Sequence, residues 1–231
     1  MTEFAFPLSN LRMIQSGAMT SCRLLPILLL GVALTAFAED HAPPPVTPAT
    51  SFPAVEVHDA EHLAIAVEPY ETKDKQELFN FHDYYKYGVY PIRLIITNNG
   101  DHPISLREAR ILFQSADGQR VQAAEPEDVE RLMGNYDPRP MAVPTPLPGI
   151  HFHHKNHNKQ IEDDFNQFEY QALVVEPHTT RAGFLFYVLT SGSNPLRGAD
   201  LYVNDLRSAS GQQFFPFQVP FNKYLNAKSG H

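Results

Sequence analysis

The sequence has no tryptophan, a single cysteine and few basic side chains. One cysteine excludes an intramolecular disulfide and any metal site built from several thiolates. The 18 Lys and Arg residues are outnumbered by 26 Asp and Glu residues, which gives a formal net charge of −8. Proteins that bind nucleic acid usually neutralise phosphates with clustered basic side chains, so this balance predicts no nucleic-acid partner.

The composition that remains indicates a folded chain rich in β-structure. Apolar residues make up 43% and charged residues 19%, whereas disordered chains combine low hydrophobicity with high charge. Twenty prolines argue against a helical bundle, because proline interrupts the interior of a helix. The length of 231 residues predicts one or two domains, and one is the simpler interpretation.

An apolar run near the beginning of the chain is typical of a secretory signal peptide. Leu24 to Ala38 contains no charge and is shorter than the ~20 residues that a membrane-spanning helix needs. Arg23 precedes the run, and Ala36-Phe37-Ala38 ends it with small residues suited to signal peptidase. We therefore predict a signal peptide over residues 1–38 and a periplasmic or secreted protein that begins at Glu39. An uncleaved membrane anchor is the alternative.

The next segment is rich in proline. Residues 39–53 read EDHAPPPVTPATSFP and contain almost no large apolar side chain. Such a composition favours the polyproline II conformation and a semi-rigid spacer. We predict a Pro-rich linker over residues 39–54, which would hold the following domain, residues 55–231, away from a membrane, a wall or another module.

Short runs of alternating apolar residues begin at Val55. Turn residues such as Asn99-Gly100, both of which tolerate positive φ, separate the runs, and no crossover helix does. This pattern predicts an all-β fold, an antiparallel immunoglobulin-like β-sandwich of seven or eight strands. Residues 183–189, GFLFYVL, look like a strand buried on both faces. The residues expected between the two sheets are Leu94, Ile96, Ile111, Phe184, Phe186 and Val203.

A partly helical insertion interrupts the alternation at about residues 125–170. Pro126 to Gly134 and Gln160 to Phe168 have helical periodicity, and Asn158 is a candidate N-cap for the second helix. Proline-rich sequence lies between them. Excursions of this length are uncommon unless they have a function. The pair Asp163-Asp164 is predicted to lie on a solvated face.

Turn and core motifs recur in the parts of the chain that flank the insertion. Asn98-Asn99-Gly100 closes a strand, Asp117-Gly118 forms a hairpin turn, and Glu176-Pro177-His178 leads into Gly183-Phe184-Leu185-Phe186. Over residues 62–120 and 171–219, the chain resembles exported bacterial immunoglobulin-like domains of uncharacterised families. The resemblance implies a β-sandwich and carries no catalytic residue. The insertion and its histidines lie outside it.

Four histidines within the insertion form the most conspicuous candidate site. His151, His153, His154 and His157 could bind zinc, copper or nickel, because neutral imidazole suits all three metals. Their spacing matches no known site, and Lys155 would repel a cation. We expect an exposed loop that is dispensable for folding, and a metal site made of these four residues is the alternative.

Two further motifs each have a structural and a functional interpretation. His58-Asp59-Ala60-Glu61-His62 matches H-x-x-E-H, a zinc-peptidase motif that requires a helix. Here both flanks alternate, so a turn between strands is predicted. Phe79 to Tyr90 contains six aromatic residues. It is either a contact surface for protein or carbohydrate or a lid over the sandwich.

These patterns together predict an exported, non-enzymatic binding or structural module of the cell envelope. Its expected partner is an envelope protein or glycan, and we expect no cofactor, no catalytic residue and no membrane span after signal cleavage. The alternatives are a periplasmic protein that binds zinc or copper through the histidine loop, residues 151–157, and, less favoured, a zinc metallohydrolase.

Overall fold

The computed structural model describes residues 41–134, 157–189 and 194–229, and of His157 it describes the backbone alone. Four helices are present in these residues: α1 (Lys73–Gln76), α2 (Pro126–Gly134), α3 (His157–Phe168) and α4 (Phe221–Ser229). The strands are β1 (Val55–His58), β2 (Leu63–Pro69), β3 (Val89–Asn98), β4 (Ile104–Ser105), β5 (Arg110–Gln114), β6 (Arg120–Gln122), β7 (Val174–Val175), β8 (Thr179–Val188), β9 (Asp200–Asn204), β10 (Arg207–Ser208) and β11 (Phe217–Pro220).

The described strands form three antiparallel sheets. Sheet A has the order β1-β2-β3-β8, sheet B the order β10-β4-β7, and sheet C the order β11-β9-β5-β6. The antiparallel β-class predicted from the alternating pattern is therefore confirmed. The described residues form eleven strands, so the predicted number of seven or eight is wrong. The three strands of sheet B have two residues each, which is too short to produce an alternating pattern in the sequence.

The turn after β3 depends on a side chain and not on positive φ. The Asn98 side chain donates to the carbonyls of His102, Val175 and Glu176, and its Oδ1 accepts from the Gly100 amide. Gly100 itself does not have a positive φ. Asn98 is buried, so its amide satisfies backbone groups that the turn leaves unpaired and connects the end of β3 to β7.

The inner face of sheet A and the facing side of sheet C share one hydrophobic core. Of the residues predicted for it, Leu94, Ile96 and Val203 are buried there, and Ile111 is partly buried against them. The buried members contributed by the two sheets are Leu63, Ile65, Val67, Ile92, Leu94, Ile96, Tyr187, Phe113, Leu201, Val203, Phe217 and Val219.

Two of the predicted core residues, Phe184 and Phe186, lie on the opposite face of sheet A, so that part of the prediction is wrong. Phe184 pairs with Arg93, whereas the inward-pointing Leu94 pairs with Gly183. The period of two establishes that neighbouring residues point to opposite faces. It does not establish which set faces sheet C when both sets are apolar. The expectation that β8 is buried on both faces is confirmed, since Phe184, Phe186 and Tyr187 are all 1% exposed or less.

A second core covers one half of this outer face. Helices α2 and α3 occur where helical periodicity was predicted, but α3 begins at His157. Asn158 therefore lies inside its first turn and not at the N-cap. The segment between the two helices, 135–156, is outside the described residues. The second core consists of Tyr70, Phe79, Phe81, Tyr84, Val89, Val129, Met133, Ile161, Phe165, Phe168, Phe184 and Phe186.

The other half of the outer face is covered by residues 41–54, which we call the strap. Ala49 of the strap is fully buried in a small cluster with Ala64, Ala66 and Ile95. The predicted Pro-rich linker thus differs from the structure over these residues, because the segment packs on the domain and does not extend from it. Composition pointed to a spacer, since the strap has few large apolar side chains. Ala49 and the half-buried ring of Phe52 are enough to cover this surface, which presents Ala64, Ala66 and Ile95.

Candidate functional site

A buried arginine fixes the strap on the outer face of sheet A. Arg93 lies in the middle of β3 and is 4% exposed. Its Nη2 donates to the carbonyls of Pro44 and Pro45 at 2.9 and 2.8 Å, and its Nη1 lies 3.5 Å from Oε2 of Glu68. The ring of Phe52 lies 5.8 Å from the guanidinium. The charge is therefore desolvated but compensated, as a buried ion requires.

The chemistry of proline explains why a guanidinium occupies this position. Proline has no N–H, so consecutive prolines such as Pro44 and Pro45 offer carbonyl oxygens only. Arginine carries only donors in a fixed planar fork. Further along the strap, the Ala49 amide donates to Oγ1 of Thr97 at 2.8 Å, and the Ala54 carbonyl accepts from the backbone of β2 at 2.9 Å. The contacts to the strap are thus made mainly to its backbone.

Further charged and aromatic groups continue from Arg93 to the end of β2. Glu68 accepts from Lys75 of α1 at 3.0 Å, and the Lys75 ammonium lies 4.9 Å and 5.0 Å from the rings of Tyr70 and Tyr224. Tyr224 of α4 donates to Glu71 at 3.0 Å. Burial raises the pKa of Tyr70 to about 12, and the charge of Glu68 adds to the rise. This network connects α1 and α4 to sheet A.

Asp164 is a buried carboxylate that fixes the aromatic segment, residues 79–90. One carboxylate oxygen accepts from the backbone N–H and the side-chain amide of Asn80, at 2.6 and 2.9 Å. The other accepts from the Phe81 amide at 3.0 Å and the Tyr84 hydroxyl at 2.9 Å. Burial raises the pKa of Asp164, while these hydrogen bonds oppose the rise.

The surroundings of Asp164 correct one prediction and decide between two others. Asp164 is 0% exposed, so the solvated face predicted for Asp163-Asp164 is right only for Asp163. The helical spacing could have indicated this burial, because Asp164 follows Ile161 by three residues and precedes Phe168 by four, which puts it on the apolar side of α3. Because Phe79, Phe81 and Tyr84 are buried, the aromatic segment is a lid over the sheet, and these three rings are not a contact surface.

The H-x-x-E-H motif forms the connection between β1 and β2, as predicted. Asp59–Glu61 is a single 3-10 turn, and His62 adopts left-handed backbone geometry with φ of 51°. The two histidines therefore do not lie one turn apart on an α-helix. Nδ1 of His58 lies 2.6 Å from Oε2 of Glu61, whose other oxygen accepts from the Phe215 amide at 3.1 Å. The motif thus joins the hairpin to the segment before β11.

The histidine loop lies almost wholly outside the described part of the chain. His151, His153 and His154 are not among the described residues, and of His157 only the backbone, at the start of α3, is described. In the described ranges, no group of three or more His, Cys, Asp or Glu side chains is arranged to hold a metal ion. The four-histidine site therefore stays a prediction from the sequence.

Comparison with protein families, with curated proteins and with solved structures found no match. Of the helices in residues 41–134, 157–189 and 194–229, none has the length and apolarity needed to cross a membrane. The predicted signal peptide, residues 1–38, lies outside the described part of the chain.

Proposed function

We propose that the protein is an exported, non-enzymatic binding or structural module of the cell envelope, with an immunoglobulin-like β-sandwich as its scaffold. The shared core of sheets A and C supports the sandwich part of the proposal. The apolar run that ends at Ala38 and the small residues at its end support export.

The contacts of Arg93 and Asp164 support the binding part. Arg93 donates to carbonyls of the strap, and Asp164 accepts from the aromatic segment. Both groups thus fix segments of this chain onto the sheet. Groups used in acid-base chemistry need contact with a substrate, and these two contact their own chain. An outer face that holds extended chain by backbone contacts is suited to a scaffold or binding role.

Site-specific photo-crosslinking in intact cells tests this proposal. A photoreactive residue at Val46, which is 55% exposed on the strap, is compared with one at Gln119, an exposed residue of the β5–β6 hairpin. We expect the protein in the envelope fraction, with an N-terminus at Glu39, and one discrete adduct with an envelope protein or glycan from Val46 alone. Recovery from the cytoplasm, or identical adducts from both positions, would contradict the proposal.

A further inference from the structure

The groove beneath the strap recognises a simple pattern in the chain that it holds. Arg93 contacts the carbonyls of Pro44 and Pro45. Pro48 has the polyproline II geometry, with φ −55° and ψ 143°. Ala49 follows it and is fully buried, so only a small side chain fits there. The recognised pattern is thus Pro-Pro-x-x-Pro-Ala.

The groove makes few contacts with the side chains of the other strap residues, of which Phe52 is half-buried beside Arg93. Val46, Thr47, Thr50 and Ser51 are all exposed, and the hydrogen bonds from Arg93 and Thr97 reach backbone atoms of the strap. Recognition by carbonyl acceptors and one small side chain suits a proline-rich segment that enters a 3-10 turn at Ala49–Ser51. Such a segment loses little entropy on binding because its prolines are already conformationally restricted. A segment from another chain with the same pattern offers the same contacts.

Removing the strap does not leave a buried charge without a partner. The strap covers Arg93, so when it leaves, water reaches the guanidinium. Glu68 remains 3.5 Å away and stays paired with Lys75. Only Ala49 and Ala54 of the strap are buried, and segments with few buried apolar contacts open at lower free energy than the core. Displacement of the strap by a competing segment is therefore compatible with an intact fold.

We infer that the groove around Arg93 is a docking site for a proline-rich segment of a partner protein, and that the strap is its intramolecular competitor. This inference rests on the proposed binding function and names the class of its partner: an extended segment carrying Pro-Pro-x-x-Pro-Ala. The strap is tethered to the groove and therefore has a high effective concentration there. A partner segment displaces it only when the local concentration of the partner is higher, or when the partner makes additional contacts that the strap does not make.

The test opens the groove in the complete exported chain by changing Ala49→Glu. A glutamate cannot occupy the dry contact that Ala49 makes, whereas Arg93, Glu68 and Thr97 are unchanged. Amide hydrogen exchange of residues 42–54 reports release of the strap. Two labelled peptides are then titrated by fluorescence anisotropy. One has the sequence of residues 42–54, and the other keeps only the prolines of positions 44, 45 and 48 and the alanine of position 49, with serine elsewhere.

We expect both peptides to bind the Ala49→Glu chain at micromolar concentration, and neither to bind the wild-type chain in the same range. Adding Arg93→Lys to the opened chain should weaken binding by about tenfold or more, because hydrogen bonds to a charged group are lost. Arg181→Lys, at an exposed arginine on β8, is the matched control and should leave the affinity unchanged.

Each other outcome overturns the inference. Unfolding of the Ala49→Glu chain, or retained protection of residues 42–54, would show that the strap is a fixed part of the fold. Binding of neither peptide to an opened, folded chain would exclude a peptide groove. Binding of the strap sequence alone, or a wild-type dimer that Ala49→Glu abolishes, would assign the groove to the strap of this chain or of a second copy. An envelope adduct from Val46 would still support the proposed function in these cases.

Discussion

Gly183 of β8 lies directly against the backbone of Tyr170. A Cβ atom at position 183 would come within 2.5 Å of the Tyr170 Cα and 2.8 Å of its nitrogen. The Tyr170 amide donates to the Phe184 carbonyl at 2.9 Å, and Glu169 forms a parallel bridge with Phe184. The segment after α3 thus runs along the edge of β8, and only glycine permits an approach this close.

Changing Gly183→Ala should therefore destabilise the protein strongly. Overpacking in a well-packed site costs about 1–3 kcal/mol, and here the opposing atoms belong to the backbone, so no change of rotamer relieves the contact. Urea denaturation measures the loss. Gly118→Asn is the control, because nothing lies within 4 Å of a Cβ at position 118 and asparagine tolerates its φ of 86°. Equal stability of the two variants would show that Tyr170 is not held against β8.

Asp164→Asn tests whether the buried carboxylate fixes the aromatic lid. All four partners of Asp164 are donors, so an amide would place an N–H opposite other donors and leave buried groups unpaired. Such a mismatch costs about 1–3 kcal/mol. The adjacent Asp163 is exposed, and Asp163→Asn should leave the midpoint of urea unfolding unchanged. A midpoint for Asp164→Asn equal to that of Asp163→Asn would show that the lid is held by its aromatic contacts alone.

The parts of the fold that the sequence predicts are those set by local pattern. Helix α2 begins at Pro126, and the connection at His58–His62 joins two strands, because nearby residues alone determine both features. The docking of the strap depends on Arg93, which is 49 residues away from Pro44 in the chain. A buried guanidinium beneath two prolines leaves no periodic trace in either segment, so composition alone indicated a free linker.

Asp164 shows where a site residue could have been found. It lies on the apolar side of α3, where a carboxylate is expected only if it is paired, but its partners are eighty residues earlier in the chain. Likewise, the alternation of β8 indicated that both faces are buried. The side that faces sheet C depends on the register with Arg93 and Leu94, which is a tertiary property.

A double-mutant cycle tests the existence of two separate cores. The rings of Phe165 and Phe186 stack with centroids 4.2 Å apart, so the pair Phe165→Ala and Phe186→Ala should show a coupling of about 0.5–1.5 kcal/mol. Leu94 lies on the inner face of sheet A, and Leu94→Ala with Phe186→Ala should be additive within about 0.5 kcal/mol. Stronger coupling in the second pair than in the first would place Phe186 in the inner core.

Alkaline pH should destabilise the protein through its buried tyrosines. Tyr187 is 0% exposed and donates to the Ile111 carbonyl at 3.3 Å. Burial raises the pKa of Tyr187 above its ordinary value of 10.0. Above that value the unfolded chain loses the phenolic proton while the folded chain keeps it. The unfolded state then binds fewer protons, so the free energy of unfolding falls as pH rises. Tyr84, which is equally inaccessible and whose pKa is also raised mainly by burial, contributes in the same direction.

Tyr187→Phe isolates this contribution, because phenylalanine keeps the ring and cannot ionise. Removing the Tyr187 hydroxyl should lower the free energy of unfolding at neutral pH by about 1 kcal/mol, because one hydrogen bond is lost. Above the ordinary pKa of tyrosine, however, the stability of the variant should fall less steeply with pH than that of the wild type. Urea midpoints measured from neutral pH to strongly alkaline pH, with tyrosinate absorbance followed in parallel, provide the comparison. Parallel curves for the two proteins would mean that the Tyr187 hydroxyl ionises equally well in the folded and unfolded chains, which would require water to reach the core between sheets A and C.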